Sequence, residues 1–407
     1  MVKIIVHQDR QKEYWLNIGQ ALKDEINSYL KAFDHLKGLN IVDDDTDFTV
    51  YKGAVVDLVN LAAKTPKKTT DFNQPIYKKA LDEYLKGKEQ VAHNVLDNMA
   101  TFLNVLLDKN GAELKNLLLC PPDGLLDKHN ELNSSYTINT GLEKKIIGLI
   151  FNFKTCDRIV KPIKNFFRIP ELVLTCPYCN LHKVNYVEGE EGGTGEVHEL
   201  DHFFDKTVHP LLSYSLFNLV PSDTFCNKSY NKGQEKVTKT YHINPYEKGY
   251  VAALRFKPIL AGDAIDQFEL DVQIPRTDPL FDQMFGSLGV IKDDTRSGNL
   301  NMFKIRARYN DKLVKKDAAK YLKKIKNYAA SRRRMVGFFK RMGKDISLNA
   351  HNAWYEDLLP THFEQKYFHD APCSKLYRDL HDYVFTNDKH WFNKDVRKLI
   401  DDQPLEN

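Results

Sequence analysis

Cysteine is scarce in this chain, with six in 407 residues. So few thiols over such a length exclude a disulfide-stapled scaffold of the secreted kind. No run of eighteen apolar residues occurs, which excludes an ordinary membrane-spanning helix. The apolar stretch within residues 1–10 is too short for a secretory signal. These absences together predict a protein kept in the cytoplasm with no membrane partner. No GxxxxGK[ST] pattern is present, so the chain is not expected to act as an ATPase by itself. Internal repeats and low-complexity tracts are missing too, which excludes a repeat architecture.

What is present reads as a folded protein. The hydrophobic fraction is 42% with many aromatics, enough to bury a core in two or three domains. Over residues 13–36, Trp15, Ile18, Leu22, Ile26, Tyr29, Leu30 and Phe33 recur at spacings of three and four, one face of an amphipathic helix. Similar periodicity over 77–85, 91–107 and 142–151 predicts further helices, separated by polar or proline-bearing stretches. Residues 2–6 could be a strand. Residues 1–168 thus read as a helical N-terminal domain. Residues 169–248 form a module of different texture, with β-branched runs, short turns and a Gly/Glu-rich loop over 188–196. Residues 249–407 begin with candidate strands over 250–256 and 268–274. A strongly helical stretch over 300–342 follows, then aromatic-rich helices over 354–368 and 375–385. The expected class is α+β, a mainly helical chain around a central module.

Three of the six cysteines fall in that module. Cys176 and Cys179 flank Pro177 and Tyr178, a spacing that lets both thiolates reach one tetrahedral ion. Cys226 is the natural third ligand of a structural zinc. In a C-x2-C…C-x2-C set the fourth would stand at 223, which is Asp223; oxygen ligates structural zinc less often. His182 is another candidate. Cys120, Cys156 and Cys373 read as ordinary buried thiols.

Between the cysteines the chain runs Glu199-Leu-Asp201-His202-Phe-Phe-Asp-Lys206, His209-Pro-Leu-Leu, Asn218-Leu-Val-Pro-Ser and Cys226-Asn227-Lys228. In this order the segment resembles the HNH nucleases of the ββα-metal fold, with Asn227 where the family name expects His. The resemblance covers about sixty residues. It implies that the first strand ends in His202, the second begins with Asn218, and the following helix supplies the last metal ligand. His202 suits a general base because a free imidazole titrates near pH 6.5. Asp201 projects to the opposite side of a strand and could hold Mg²⁺ or Mn²⁺ together with Asn227. Asn218 would brace the hairpin and orient His202. The Phe204-Asp-Lys…His209-Pro-Leu-Leu-Ser and Asn244-Pro-Tyr surroundings, with Phe303 and Arg308-Tyr-Asn310, are similar to HNH nucleases of bacterial anti-phage systems of the Septu-type or retron-associated kind. That likeness implies a role in antiviral defence beside a separate ATPase subunit, with DNA preferred over RNA as substrate.

Two other readings compete. His198-Glu199-Leu-Asp-His202 also spells H-E-x-x-H, which on a helix would place His198 and His202 on one zinc with Glu199 as base. The three glycines at 192, 193 and 195, and Pro210, argue against a helix there. The second alternative is a non-catalytic zinc module that binds nucleic acid. Either nucleic-acid reading can use the basic stretch 301–344, which holds sixteen Lys or Arg against Asp311 and Asp317 although the whole chain carries only +4. Lys228, Lys323, Lys324, Arg332, Arg333 and Arg334 are its candidate phosphate contacts. A solvated helix face is the plain alternative for such a charge run.

Overall fold

The computed structural model describes residues 2–37, 89–138, 141–153, 157–167, 174–184, 186–188, 194–196, 198–228, 232, 237–286, 298–341, 368 and 370–386. The architecture is mixed α+β and mainly helical. The chain divides into two compact units, one of residues 7–167 with 202–219, the other of 1–6, 168–201 and 220–407. The expected helices over 77–85 and 354–367 lie outside the described residues.

The first unit is helical. Helix α1, Gln8–Lys37, buries Tyr14, Ile18, Leu22, Ile26, Tyr29 and Phe33 along one stripe, as its spacing of three and four dictates. It packs on α2, Glu89–Leu118, and on α5, Asp157–Phe167. Within α2 the backbone leaves helical geometry at Asp108 and takes positive φ at Lys109, Asn110 and Gly111, so two helices meet at a sharp break. Helices α3, Leu125–Tyr136, and α4, Gly141–Ile150, complete the bundle.

The segment 202–219 packs with these helices because its buried groups find their partners there. Tyr214 Oη donates to Asn152 O (2.7 Å), Tyr14 Oη donates to Tyr214 O (2.7 Å), and Ser215 Oγ donates to Leu117 O (3.0 Å). Two short 3₁₀ turns, Pro210–Tyr214 and Leu216–Asn218, carry it.

In the same unit the His209 ring meets the His129 ring edge-on at 4.7 Å. Burial pushes the His209 imidazole down to about 4, helped by His129 and Lys144 and opposed by Asp205. His129 is lowered as well, by burial first. A ring whose folded pKa is depressed is neutral in the fold, whereas the unfolded chain takes up a proton near 6.5. Stability is therefore fully present above pH 6.5 and is lost as pH falls through about 4. His209→Gln is expected to flatten the melting temperature against pH between 6.5 and 4; an unchanged profile would contradict this.

The second unit holds the strands. β1, Tyr186–Glu188, pairs antiparallel with β2, Thr194–Glu196. β3, His198–His202, pairs with β4, Leu219–Asp223, and α6, Thr224–Asn227, follows at once. β5, Leu254–Ala261, and β6, Ala264–Val272, form an antiparallel hairpin with a register shift at Ile259/Leu260. Both strands differ from the expected 250–256 and 268–274. The turn sets this register, since Gly262 at φ +64 provides the left-handed residue that a tight connection needs.

Residues 2–6 are not a strand. Val2 N donates to Pro177 O (2.9 Å) and Ile4 N to Pro245 O (2.9 Å), which satisfies an extended segment without a ladder. Helix α7, Pro279–Phe285, is not among the expected helices, and the stretch expected as one helical region over 300–342 is α8, Gly298–Met302, α9, Ile305–Tyr309, and α10, Lys312–Arg341. Lys304 at φ +50 separates α8 from α9. Helix α11, Ser374–Thr386, packs on β5 and α10. No helix among the described residues is long and apolar enough to cross a membrane.

Candidate functional site

Cys176, Pro177, Tyr178 and Cys179 form the tip of a short hairpin. Its arms are joined by the Thr175–Lys183 bridge and by Val184 N donating to Leu174 O (3.0 Å). Asn180 closes the turn at φ +52, a left-handed position that Asn tolerates because its short amide bonds locally. Its N–H donates to Cys176 O (2.7 Å), and its Nδ2 donates to Thr175 Oγ1 (3.1 Å) and Phe368 O (2.8 Å). Later helices hold the tip in place. Phe303 stacks on Tyr178 at 4.2 Å, and Tyr309 Oη donates to Cys179 O (2.7 Å).

Helix α6 brings Cys226 to the same place. The Sγ atoms of Cys176, Cys179 and Cys226 lie within 4.8 Å of one another, all buried, and among the described residues they are the one such group able to hold a metal ion. Three converging thiols could bind a metal such as zinc, whose bonds to sulfur are about 2.3 Å. Burial raises the Cys176 and Cys226 thiols. Burial also pushes Cys179 upward, but hydrogen bonds from Cys176 and Cys226 and the charge of Arg308 overcome it, leaving Cys179 well below the ordinary thiol range.

The fourth position has no ready occupant. His182 is exposed and meets the cluster only through its backbone carbonyl, which accepts from Cys176 N (2.8 Å). Asp223 precedes α6 but does not cap it. Its Oδ2 is buried without a hydrogen-bond partner, 3.5 Å from Arg308 Nη2. Arg308 Nη1 in turn donates to Cys226 Sγ (2.8 Å), and its guanidinium lies 4.8 Å over the Phe225 ring. The sequence offered Arg308 only through the family likeness, since a contact spanning 82 residues obeys no local spacing rule.

Residues 198–202 form a strand. This removes the geometry that the H-E-x-x-H reading requires. Four residues along a strand span about 13 Å, so His198 and His202 cannot chelate one ion as they would across a helical turn. Along β3, Glu199 and Asp201 are two apart and share a side. Glu199 Oε2 accepts from Asn227 Nδ2 (2.7 Å). A carboxylate can only accept, so the amide nitrogen of Asn227 faces Glu199. Asp201, 4% exposed, accepts from Tyr178 Oη (2.6 Å) and from Lys232 Nζ at both oxygens (2.7 and 2.6 Å). Lys232 and Tyr178 carry no recognisable signal in the sequence.

His202 ends β3 and is 8% exposed. Its Nε2 lies 3.0 Å from Ser213 O, and Phe153 meets the ring edge-on at 4.8 Å. A carbonyl oxygen cannot donate, so Nε2 carries a proton. Asn218 is fully buried. Its Oδ1 accepts from Phe204 N (2.7 Å), and its Nδ2 donates to Phe204 O (3.1 Å) and Leu212 O (3.0 Å). It clamps the chain just after His202 to the turn that carries Ser213, a bracing role. Asn218→Ala leaves the buried Phe204 N–H without its acceptor and removes a donor from the Phe204 and Leu212 carbonyls, and is expected to cost about 3 kcal/mol of unfolding free energy by denaturant titration. A loss below roughly 1 kcal/mol would contradict the clamp.

Of the basic candidates, Lys228 is exposed at the end of α6, and Lys323 and Lys324 are exposed on α10. The opposite face of α10 buries Ala318, Leu322, Ile325 and Ala329, so the lysines occupy its solvent side. Leu313, counted with the apolar face by its spacing, is 71% exposed. The side chains of Arg332, Arg333 and Arg334 lie outside the described residues.

Comparison of the chain with family models, with curated proteins and with solved structures finds no match in any of the three.

Proposed function

We propose that this chain is a metal-dependent HNH endonuclease that hydrolyses phosphodiester bonds, with DNA as substrate ahead of RNA. The observation that supports the reading is the placement of His202, whose Nε2–H donates to Ser213 O (3.0 Å), so that a neutral ring would accept at Nδ1. That is what a general base for water activation needs. His202 takes a proton from the attacking water at Nδ1, while Ser213 O holds the ring and bears part of the resulting positive charge. Asn218 maintains the turn that presents Ser213.

The donors fit a hard cation in kind. Asp201 carries carboxylate oxygens, here held by Lys232 Nζ and Tyr178 Oη, and Asn227 an amide oxygen, the ligand types that Mg²⁺ or Mn²⁺ takes. The ion, when bound, would act as a Lewis acid on the departing 3′ oxygen. The Cys176, Cys179 and Cys226 trio would hold structural zinc, with Asp223 the candidate for the fourth position because its Oδ2 is buried without a hydrogen-bond partner. The exposed lysines of α6 and α10 would track phosphates. An anti-phage role beside a separate ATPase remains part of the proposal and rests on the family likeness.

The test uses the purified full chain on supercoiled plasmid and on an RNA pool in Mg²⁺ or Mn²⁺, with His198→Ala and His202→Ala alongside. The nuclease reading expects His198→Ala to cut and His202→Ala not to cut. Loss in both variants, or in neither, contradicts it.

A further inference from the structure

A zinc knuckle of C-x2-C spacing takes its second pair of ligands from positions three residues apart, here 223 and 226. One guanidinium spans that pair. Arg308 Nη1 donates to Cys226 Sγ (2.8 Å), and Nη2 lies 3.5 Å from Asp223 Oδ2. The ring of Phe225, between the two, lies 4.8 Å from the same guanidinium. Arg308 is itself held, with a side chain only 9% exposed. Its neighbour on α9, Tyr309, donates from Oη to Cys179 O (2.7 Å). Helix α9 is thus anchored to the first half of the site while its guanidinium grips the second.

At Cys179 the sulfur is met by a main-chain donor, Leu181 N at 3.4 Å, a bond that the turn itself provides. At Cys226 the donor is a side chain 82 residues further on. A thiolate can accept an N–H and bind a metal at once, and such outer bonds orient the ligand and temper its charge. Three thiolates and a carboxylate around a 2+ ion leave a net negative charge, which a buried site holds only with a cation beside it. Asp223 Oδ2 and Arg308 Nη2 are both buried without a hydrogen-bond partner among the described residues. The ion pair alone therefore leaves the carboxylate unsatisfied, and a bond from Oδ2 to a metal would satisfy it.

Resting on the reading of the cysteine trio with Asp223 as a zinc site, we infer that Arg308 is the positioning residue of that site. Its two terminal nitrogens set Cys226 and Asp223 at the spacing the ligands need, and its charge offsets theirs. Arg308 acts through these two residues and does not touch the ion. Lysine cannot replace it, because a single ammonium lacks the fork that reaches sulfur and carboxylate together.

The experiment is Co²⁺ titration of the reduced, metal-free full chain, followed by absorption, in its wild-type, Arg308→Met, Arg308→Lys and Cys226→Ser forms. Co²⁺ reports thiolate ligation by charge-transfer absorption and tetrahedral geometry by its visible bands. Wild type is expected to show both. Arg308→Met is expected to bind Co²⁺ at least about tenfold more weakly, with altered visible bands, as loss of an outer-shell partner does. Arg308→Lys is expected to weaken binding as well. A merely structural role would lower the melting temperature of the metal-free chain and leave affinity and bands unchanged in Arg308→Met; that result overturns the positioning role and leaves the metal site intact. Binding by Arg308→Lys equal to wild type overturns the fork. No Co²⁺ bands in wild type, or bands as strong in Cys226→Ser, overturn the metal reading itself. Should Arg308→Met not fold, Arg308→Lys carries the test by itself.

Discussion

Cys226→Ser is expected to reduce bound zinc from about one per chain to near zero and to lower the melting temperature by roughly 10 °C, about 4 kcal/mol for a unit of this size. The cause is the convergence of three buried thiols from two distant stretches of chain. A metal there joins the 176–179 turn to α6, and structural zinc contributes folding free energy outright because the unfolded chain has no preformed site. Without an ion, the three buried sulfurs are met by Arg308 Nη1 at Cys226 (2.8 Å) and by Leu181 N at Cys179 (3.4 Å). Elemental analysis and thermal melting of the same preparation provide the check. Cys120→Ser, in the helical unit, and Cys373→Ser, outside the trio, are expected to keep their zinc. Wild-type protein that carries no zinc after metal-replete expression, and melts as Cys226→Ser does, would contradict the assignment.

His202→Ala is expected to lower kcat by about 10³-fold with little change in KM, since general-base catalysis contributes about 10²–10⁴. The proposal assigns substrate binding to Lys228 and α10, so substrate affinity should survive. The substitution also leaves Ser213 O without its donor, a loss of about 1 kcal/mol in stability. Rates must therefore be compared well below the melting temperature. Exogenous imidazole is expected to restore part of the rate, because the missing group is a proton acceptor. Activity above a tenth of wild type, or a loss seen only in KM, would place the base elsewhere.

Much of this was legible in the sequence. The stripe of α1 could be read because five of the seven residues at helical spacing, Ile18, Leu22, Ile26, Tyr29 and Phe33, are buried, while Trp15 and Leu30 are half-buried and Tyr14 joins them. The cysteine trio could be read because thiols two apart dictate a turn, and few other residue types call for a distant third. Asn218 as a brace entered only through the family likeness; its side chain makes three hydrogen bonds to the backbone of Phe204 and Leu212.

Other features had no local signal. Lys232 lies 31 residues beyond Asp201, and nothing in its surroundings separates it from the other lysines. The Glu199–Asn227 bond depends on the pairing of β3 with β4, which periodicity does not fix for strands of five residues. The 2–6 stretch has strand-like composition, but its donors are satisfied by Pro177 and Pro245, a choice made by tertiary packing. Helical propensity over 300–342 concealed the break at Lys304, which lets α9 aim Arg308 at Cys226.

The most direct measurement is nicking of supercoiled plasmid by the purified full chain, zinc-loaded and folded, in Mg²⁺ and in EDTA. The account predicts cleavage in Mg²⁺ and none in EDTA. A zinc-loaded, folded chain that cuts neither plasmid nor RNA in Mg²⁺ or Mn²⁺, yet retains both in a binding assay, would contradict the nuclease and leave a zinc-stabilised nucleic-acid-binding module in its place.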